Sequence, residues 1–335
     1  MAAELAPAVA GATPDLRGAL RLNAVLVGVM LAYVAITFLV ARSGGVPFSL
    51  GLYAVLWLVF GGLGAAAFAL RRRLPARWRI GERVVLAAPV LLVAPAFFSA
   101  FTSLKSGLAQ LHPYTWDAAI AGWDRAIFGQ DAWRVLQPAL GHPPITFALS
   151  VLYSGWHAAM LTIFGGLCFS LGRPALRLQA LLALVACWAL LGTWGAVALA
   201  SVGPCFVGPL HLPGPDGFAE QAAYLRTANA QLPIWEFAEQ SRLLNAAAAG
   251  RPVLGSGISA MPSMHIAVAF LMMLVGWRFG RRAGVAGSLY FLVIVVGSIH
   301  LGWHYFMDGV VAAAGAGLLW LAAGPVARWT VAAAA

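Results

Sequence analysis

Eight apolar segments, each about as long as a lipid bilayer is thick, constrain this chain more than any other feature. A helix needs about 20 apolar residues to cross the hydrocarbon core of a bilayer. Because 61% of the residues are hydrophobic and only 10% are charged, a soluble domain could not bury the apolar surface. The sequence therefore predicts an all-α integral membrane protein with about eight transmembrane helices, near residues 20–41, 49–70, 84–101, 146–172, 176–201, 261–279, 284–301 and 304–326.

The net charge of +10 is distributed as a topology signal. Every second loop between these segments is rich in arginine, and positively charged loops remain on the cytoplasmic side of a membrane. We therefore expect a multi-pass protein of a bacterial inner membrane with both termini in the cytoplasm and no role in nucleic-acid binding. The arginines that carry this signal are Arg71, Arg72, Arg73, Arg77, Arg79, Arg83, Arg173, Arg177, Arg278, Arg281 and Arg282.

Two long loops, 102–145 and 202–260, then face the periplasm or the extracellular space. Trp116, Ile120, Trp123 and Ile127 recur at helical spacing in the first loop, which predicts a short amphipathic helix in the membrane interface. Asp117 and Asp124 lie on its other faces, where we interpret them as surface or capping residues. The second loop contains predicted helices near 217–230 and 234–249, and we interpret it as a lid.

Polar side chains gather at the outward ends of three predicted spans. His304 and Asp308 are four residues apart, a spacing that puts imidazole and carboxylate on one face of a helix. Such a pair is costly inside a membrane and marks a functional site. His265 follows Ser263 at the start of another span, where a hydroxyl and unpaired helix-start amides can hold phosphate oxygens. The single lysine, Lys105, is a flexible point charge suited to phosphate.

Three motifs in this order resemble those of the type 2 phosphatidic acid phosphatase superfamily. They are Lys105-x6-His112-Pro113, Pro262-Ser263-Met264-His265 and His304-x3-Asp308. The likeness is closer to the inositol phosphorylceramide synthase-like branch, and it extends over residues from about 84 to 325. It rests on the longer strings 258–265 and 302–308 and on Asp117-x6-Asp124 before Phe128-Gly129.

The resemblance implies a phosphoryl-transfer enzyme that acts on membrane lipids at the outward face. Its six-helix catalytic core would occupy residues 84–326, with 202–260 as the outward lid. Residues 1–83 would form a tail and two accessory transmembrane helices. The implied partners are the lipid bilayer, a membrane lipid substrate and an alcohol acceptor if water is not the acceptor.

The resemblance also implies the role of each site residue. His304 would attack phosphorus to form a phosphohistidine, while Asp308 would orient its other ring nitrogen. His265 would protonate the departing oxygen and then activate water or an alcohol. The phosphate-binding residues would be Lys105, Ser263, His112 and Met264. No metal or cofactor is expected, since the protein itself supplies the nucleophile and the positive charge.

Two departures from the phosphatase pattern bear on the substrate. The pattern has arginine where this chain has His112, and Ser-Arg where it has Gly297-Ser298. A site with fewer permanent cations suits a singly charged phosphodiester better than a nearly dianionic phosphomonoester. The sequence thus favours cleavage or transfer of a phosphodiester head group. A phosphomonoester phosphatase for phosphatidic acid or a polyprenyl phosphate is the alternative, with cations supplied by Arg134, Arg226, Arg242 or Arg251.

Three further side chains have a supporting or cavity-lining interpretation. His300 is interpreted as a support residue, and His157 with Tyr153 either lines a lipid cavity or satisfies a polar group in the core. A metal-dependent hydrolase would use His300 together with His265, His304 and Asp308, because histidine and carboxylate suit zinc. A transporter with a proton relay is a third hypothesis, but it predicts ionisable residues spread through the membrane depth.

Overall fold

A computed structural model describes residues 16–73, 75–212, 217–250, 252, 255 and 257–334. Every regular element within these ranges is helical, which confirms the all-α prediction. The longer helices are α1 (Leu16–Ser43), α2 (Ala54–Leu70), α3 (Ile80–Ser106), α4 (Asp117–Phe128), α5 (Ala132–Leu140), α6 (Pro143–Cys168), α7 (Pro174–Ala198), α8 (Ala219–Gln231), α9 (Glu236–Ala248), α10 (Met264–Phe279), α11 (Arg281–His300) and α12 (Phe306–Ala334).

Each of the predicted spans falls on one of these helices. By length and composition, six of the described helices can cross a membrane, namely α1, α3, α6, α7, α11 and α12. The other two, α2 and α10, are apolar but have only 17 and 16 residues. The protein is thus a multi-pass helical membrane protein, and the full count of eight crossings stays a prediction.

The first helix shares a core with the helices that follow it. Tyr33 on α1 lies 2.6 Å from Thr193 on α7, hydroxyl to hydroxyl. Near the other end of α1, the Asn23 amide oxygen accepts a hydrogen bond of 2.9 Å from Arg177. Arg177 also donates to the carbonyl of Leu167 at the end of α6 and is almost fully buried. The sequence placed this arginine in a basic loop, whereas it lies in the first turn of α7 and stabilises the end of a neighbouring helix.

Close packing of α10 and α11 brings the ends of three helices together, those of α10, α11 and α12. Gly280, with φ of 139°, makes the turn between the two helices. A Cβ atom on Gly276 would lie 2.6 Å from the Ala283 carbonyl oxygen, and one on Gly287 would lie 2.9 Å from the Met273 Cα. Small residues permit this approach of two backbones. The antiparallel pair consequently sets the start of α10 beside the end of α11 and the connection to α12.

Helix α4 is present as predicted, but its faces differ from the prediction. Ile120 is fully buried, whereas Trp123 and Ile127 are 40% and 55% exposed. Asp117 and Asp124, expected at the surface or at a cap, are both buried. Their carboxylates bind backbone and side-chain donors of neighbouring segments, which the periodicity of a single helix cannot reveal.

Both helices predicted in the second long loop are confirmed, as α8 and α9. The Gln221 amide on α8 donates a hydrogen bond of 2.7 Å to the Ile299 carbonyl at the end of α11. On α9, the buried carboxylate of Glu236 accepts hydrogen bonds from Ser150 and Ser154 of α6. Burial raises the pKa of the Glu236 carboxyl. These polar contacts fix α8 on the end of α11 and α9 on α6.

Candidate active site

The two histidines of the predicted site face each other. His304 lies just before α12, His265 lies in the first turn of α10, and their ring centroids are 6.0 Å apart. Both side chains line the same cavity. The structure therefore brings together residues that are 39 positions apart in the sequence, as the predicted co-facial arrangement requires.

Asp308 holds the His304 ring in a defined orientation. The His304 Nδ1 atom lies 3.2 Å from Asp308 Oδ2, and the same oxygen accepts a 3.0 Å hydrogen bond from the Tyr305 backbone N–H. Asp308 is fully buried. The sequence predicted this contact between His304 and Asp308, but as a pair within one helix. Helix α12 instead begins at Phe306, so His304 lies before it. Asp308, in the first turn of α12, reaches back to the residues that precede the helix. This geometry directs the other ring nitrogen of His304, Nε2, away from Asp308.

His265 is held by aromatic side chains from α6. Its ring stacks on Tyr153 at a centroid distance of 4.9 Å and an interplanar angle of 25°. The Trp156 ring lies 4.5 Å from it, and the Trp156 indole N–H donates to the His265 carbonyl. Tyr153 and His157 both line the cavity, as one of their two interpretations predicted. Of these, Tyr153 acts directly on the orientation of the histidine.

Lys105 reaches the cavity from the last turn of α3. Gly257, with φ of 110°, presses against it: a Cβ atom there would lie 2.7 Å from Lys105 Cγ. The Lys105 Nζ atom lies 5.7 Å from the centre of the Phe101 ring, within the range of a cation–π contact. Sequence reasoning missed the part played by Gly257, although the string Gly255-Ser256-Gly257 gave a local signal for a turn.

The remaining phosphate-binding candidates separate into two groups. Met264 lines the cavity. Ser263 is fully buried and caps α10, its hydroxyl accepting a 3.4 Å hydrogen bond from the Ile266 N–H, and it is not part of the described cavity wall. His112 is likewise outside this wall, and its Nδ1 lies 2.8 Å from the Pro113 carbonyl oxygen. The structure therefore does not bring Ser263 or His112 to the cavity.

His300 occupies a supporting position between three helices. Its Nε2 atom lies 2.9 Å from the Thr146 hydroxyl on α6, and Thr146 also contacts the Tyr224 hydroxyl on α8. The His300 side chain is buried and lies outside the described cavity wall. A metal site built from His300 with His265 and His304 is not formed by this geometry.

Two buried aspartates of α4, whose roles the sequence did not reveal, organise the segment around His304. Asp124 accepts hydrogen bonds of 2.8 and 3.0 Å from the N–H groups of Phe306 and Met307, the first two residues of α12. Asp117 accepts hydrogen bonds from the Tyr305 hydroxyl and from the Val202 backbone N–H. Burial raises the pKa of both carboxyls, that of Asp124 to about 6. The string Asp117-x6-Asp124 was the sequence signal for them.

The cavity beside the histidines has a volume of about 1650 Å³ and is mostly apolar. Its charged side chains among the described residues are Lys105, Arg242, Glu236 and Glu239. Arg242 is paired with Glu239 and also donates to the Gly255 carbonyl. Of the other candidate cations, Arg134 pairs with Glu220 and Arg226 is not in this wall, while Arg251 lies outside the described residues. The part of the cavity beside the histidines is thus polar, and the remainder suits a hydrocarbon chain.

These features define a helical membrane protein with a paired-histidine site at the mouth of an apolar cavity. The family model of the PAP2 superfamily matches residues 118–322, and the chain belongs to this family. Family membership indicates a lipid enzyme of the phosphatase or phosphotransferase type. No curated protein and no solved structure matches the chain.

Proposed function

We propose that the protein transfers phosphoryl groups of membrane lipids through a phosphohistidine at His304. The observation that carries this proposal is the arrangement of His304 with its Nδ1 held by Asp308 and His265 facing it at 6.0 Å, ring centre to ring centre. An orienting carboxylate, a nucleophile and an acid–base group in one cavity form the combination that nucleophilic catalysis requires.

In the first step, His304 Nε2 attacks phosphorus and the bond from phosphorus to the lipid alcohol oxygen breaks. His265, in its protonated form, gives a proton to that oxygen, so the alcohol leaves neutral. The buried Asp308 carboxylate stabilises the positive charge that develops on the His304 ring. The head-group phosphate then remains covalently bound to His304.

In the second step, water or an alcohol attacks the phosphohistidine. His265, now neutral, takes the proton of the attacking oxygen as the new phosphorus–oxygen bond forms. The phosphorus–nitrogen bond breaks and returns the electron pair to His304 Nε2, which restores both histidines. Neither half requires a metal ion or a cofactor.

Positive charge near the reacting phosphate comes from one lysine and from the start of a helix. Lys105 lies in the cavity wall, and Met264 and His265 are the first two residues of α10, where backbone N–H groups have no partner within the helix. Amides at a helix start bind anions. Arg242 is the other cation of this wall, but Glu239 compensates its charge.

This modest charge supports a phosphodiester as the substrate, in line with the inositol phosphorylceramide synthase-like resemblance. A phosphomonoester would bring a second negative charge into a cavity that also contains the buried carboxylate of Glu236. The proposed reaction is therefore cleavage or transfer of a head group at the outward face. Release of Arg242 from Glu239 would instead favour a phosphomonoester, the second candidate substrate.

The decisive experiment traps the covalent intermediate and measures the mass of the modified peptide. Purified protein is mixed with a phospholipid diester or with phosphatidic acid, quenched in base, and digested for mass spectrometry. We expect the peptide that contains His304 to gain the mass of the phosphorylated head group from the diester. Gain of bare phosphate from phosphatidic acid alone would identify a phosphomonoesterase, and no adduct in active protein would refute the phosphohistidine.

Variants provide the matched comparison for this experiment. His304→Ala is expected to lose adduct and turnover, and His265→Ala to lose turnover, without loss of folding. His142→Ala is the control, because His142 lies on the connection before α6 and makes no side-chain cap there. Product analysis with and without inositol or ceramide then shows whether the acceptor is water or an alcohol.

A further inference from the structure

The cavity extends far deeper into the membrane than the reacting groups require. Along α3 its wall runs from Lys105 to Val84, a difference of 21 positions. At 1.5 Å per residue this corresponds to roughly 31 Å, close to the full hydrocarbon thickness of a bilayer. One leaflet accounts for only about half of that thickness. The deep half of the cavity therefore needs an occupant other than a head group.

Helix α2 forms one side of this deep region, although it lies outside the part of the chain that matches the family. None of its residues is buried, and it contacts α3 along its length. The Trp57 indole N–H donates to the Leu92 carbonyl, and a Cβ atom on Gly64 would lie 3.9 Å from Val84. These two contacts fix the depth of each turn of α2 relative to α3.

The space beside α2 remains open because glycines face it. Gly61 lies between the levels of Trp57 and Gly64, which places it roughly 20–31 Å below Lys105. A Cβ atom at Gly61 would meet no atom within 4 Å, and the same is true of a Cβ atom at Gly165 on α6. Both glycines line the cavity.

We propose that α2, with the deep parts of α3 and α6, forms the wall of a tail-binding site that accepts a substrate hydrocarbon chain reaching past the bilayer midplane. This inference rests on the proposed function, since the chain is that of the lipid whose phosphate lies between His304 and Lys105. The apolar cavity is continuous with the side chains of His304 and Lys105. In this proposal α2 has a role in selecting the lipid tail.

Two pairs of adjacent glycines provide the test. Gly61→Leu and Gly165→Leu place a side chain inside the cavity. Gly62→Leu and Gly166→Leu place the same side chain outside it. At all four positions the new Cβ atom would have no other atom within 4 Å. Replacing glycine within a helix does not itself destabilise the helix. The two controls therefore carry the same substitution one position away, at glycines that do not line this cavity.

The measurement is kcat/KM for lipids with one head group and either octanoyl or lignoceroyl tails. We expect Gly61→Leu and Gly165→Leu to lower the value for the lignoceroyl lipid about tenfold while leaving the octanoyl value within about twofold. The Gly62→Leu and Gly166→Leu variants should match the wild type for both lipids.

Equal effects on both tails, or no effect of either test variant, would overturn the tail-binding role. Absence of turnover of both lipids in the wild type would instead contradict the proposed function itself. Because wild-type turnover and the effect of the variants on the ratio between the two tails are separate readouts, the two failures are distinguishable.

Discussion

At the scale of single residues, the buried carboxylate of Asp308 serves two groups at once. Its Oδ2 atom faces His304 Nδ1 and also accepts the N–H of Tyr305, so one oxygen fixes both the imidazole and the backbone that precedes α12. The Oδ1 atom has no hydrogen-bond partner among the described residues. The negative charge of this side chain, and not its shape alone, is thus central to the proposed chemistry.

Replacement of Asp308 by asparagine tests that charge. Asp308→Asn keeps the size of the side chain but removes the carboxylate that stabilises a positively charged His304 ring. We expect kcat to fall roughly a thousandfold or more, as in related catalytic triads. The comparison requires wild-type and variant protein with equal thermal unfolding temperatures; an unchanged kcat would contradict the orienting role.

Gly257 offers a second test at this scale. Gly257→Ala would place a methyl group 2.7 Å from Lys105 Cγ and 2.8 Å from the Lys105 backbone carbonyl carbon, so Lys105 would have to shift from its place in the cavity wall. We expect kcat/KM to fall by one to two orders of magnitude, since displacement by about 1 Å can have such an effect. Gly250→Ala is the control, because its φ is also positive, at 62°, but its Cβ would meet no atom within 4 Å. Similar activity in both variants would show that Lys105 is not displaced.

At the scale of helices, α4 caps the helix that follows His304. Burial raises the pKa of the Asp124 carboxyl from the ordinary value of 3.8 to about 6. The folded protein consequently binds more protons than the unfolded chain between about pH 4 and pH 6. The contribution of Asp124 to the free energy of unfolding therefore falls as pH rises through this range and is constant above it.

Asp124→Asn should remove this pH dependence. We expect the unfolding temperature of the wild type, relative to that of the variant, to decrease between about pH 4 and pH 6 and then to level off. Thermal unfolding in detergent at closely spaced pH values measures the difference. A difference that is constant with pH would show that the Asp124 carboxyl does not titrate in this range.

The sequence predicts the helices well because hydropathy is a local property. The positions of α1, α3, α6 and α7 follow from apolar composition, and the spacing of His304 and Asp308 predicts their contact. A nonlocal contact explains why the role of Asp124 was missed, since it binds the start of a helix whose first residue is 182 positions away. Ser263 and His112 instead make local hydrogen bonds, with Ile266 and Pro113, and both lie outside the cavity wall among the described residues.

At the scale of the whole molecule, the arginine-rich loops predict which end of the bundle faces outward. Ala76 lies in such a loop and Ser241 lies on α9 of the lid, and both are exposed. We expect Ser241→Cys, but not Ala76→Cys, to react with a membrane-impermeant thiol reagent in intact cells. Wild-type protein is the baseline, because Cys168 and Cys187 are buried and Cys205 is partly buried. The opposite labelling would place the histidines on the cytoplasmic side.

The contact of Asp124 with the start of α12 has a mechanical consequence. Helix α4 exposes Trp123 and Ile127 on one side and holds the N–H groups of Phe306 and Met307 on the other. If α4 lies in the membrane interface, lateral pressure on it is transmitted to the segment that carries His304. Turnover should then vary with bilayer thickness in reconstituted vesicles, and the variation should weaken when Asp124→Asn loosens the connection. The protein would in that case respond to the physical state of the membrane that supplies its substrate.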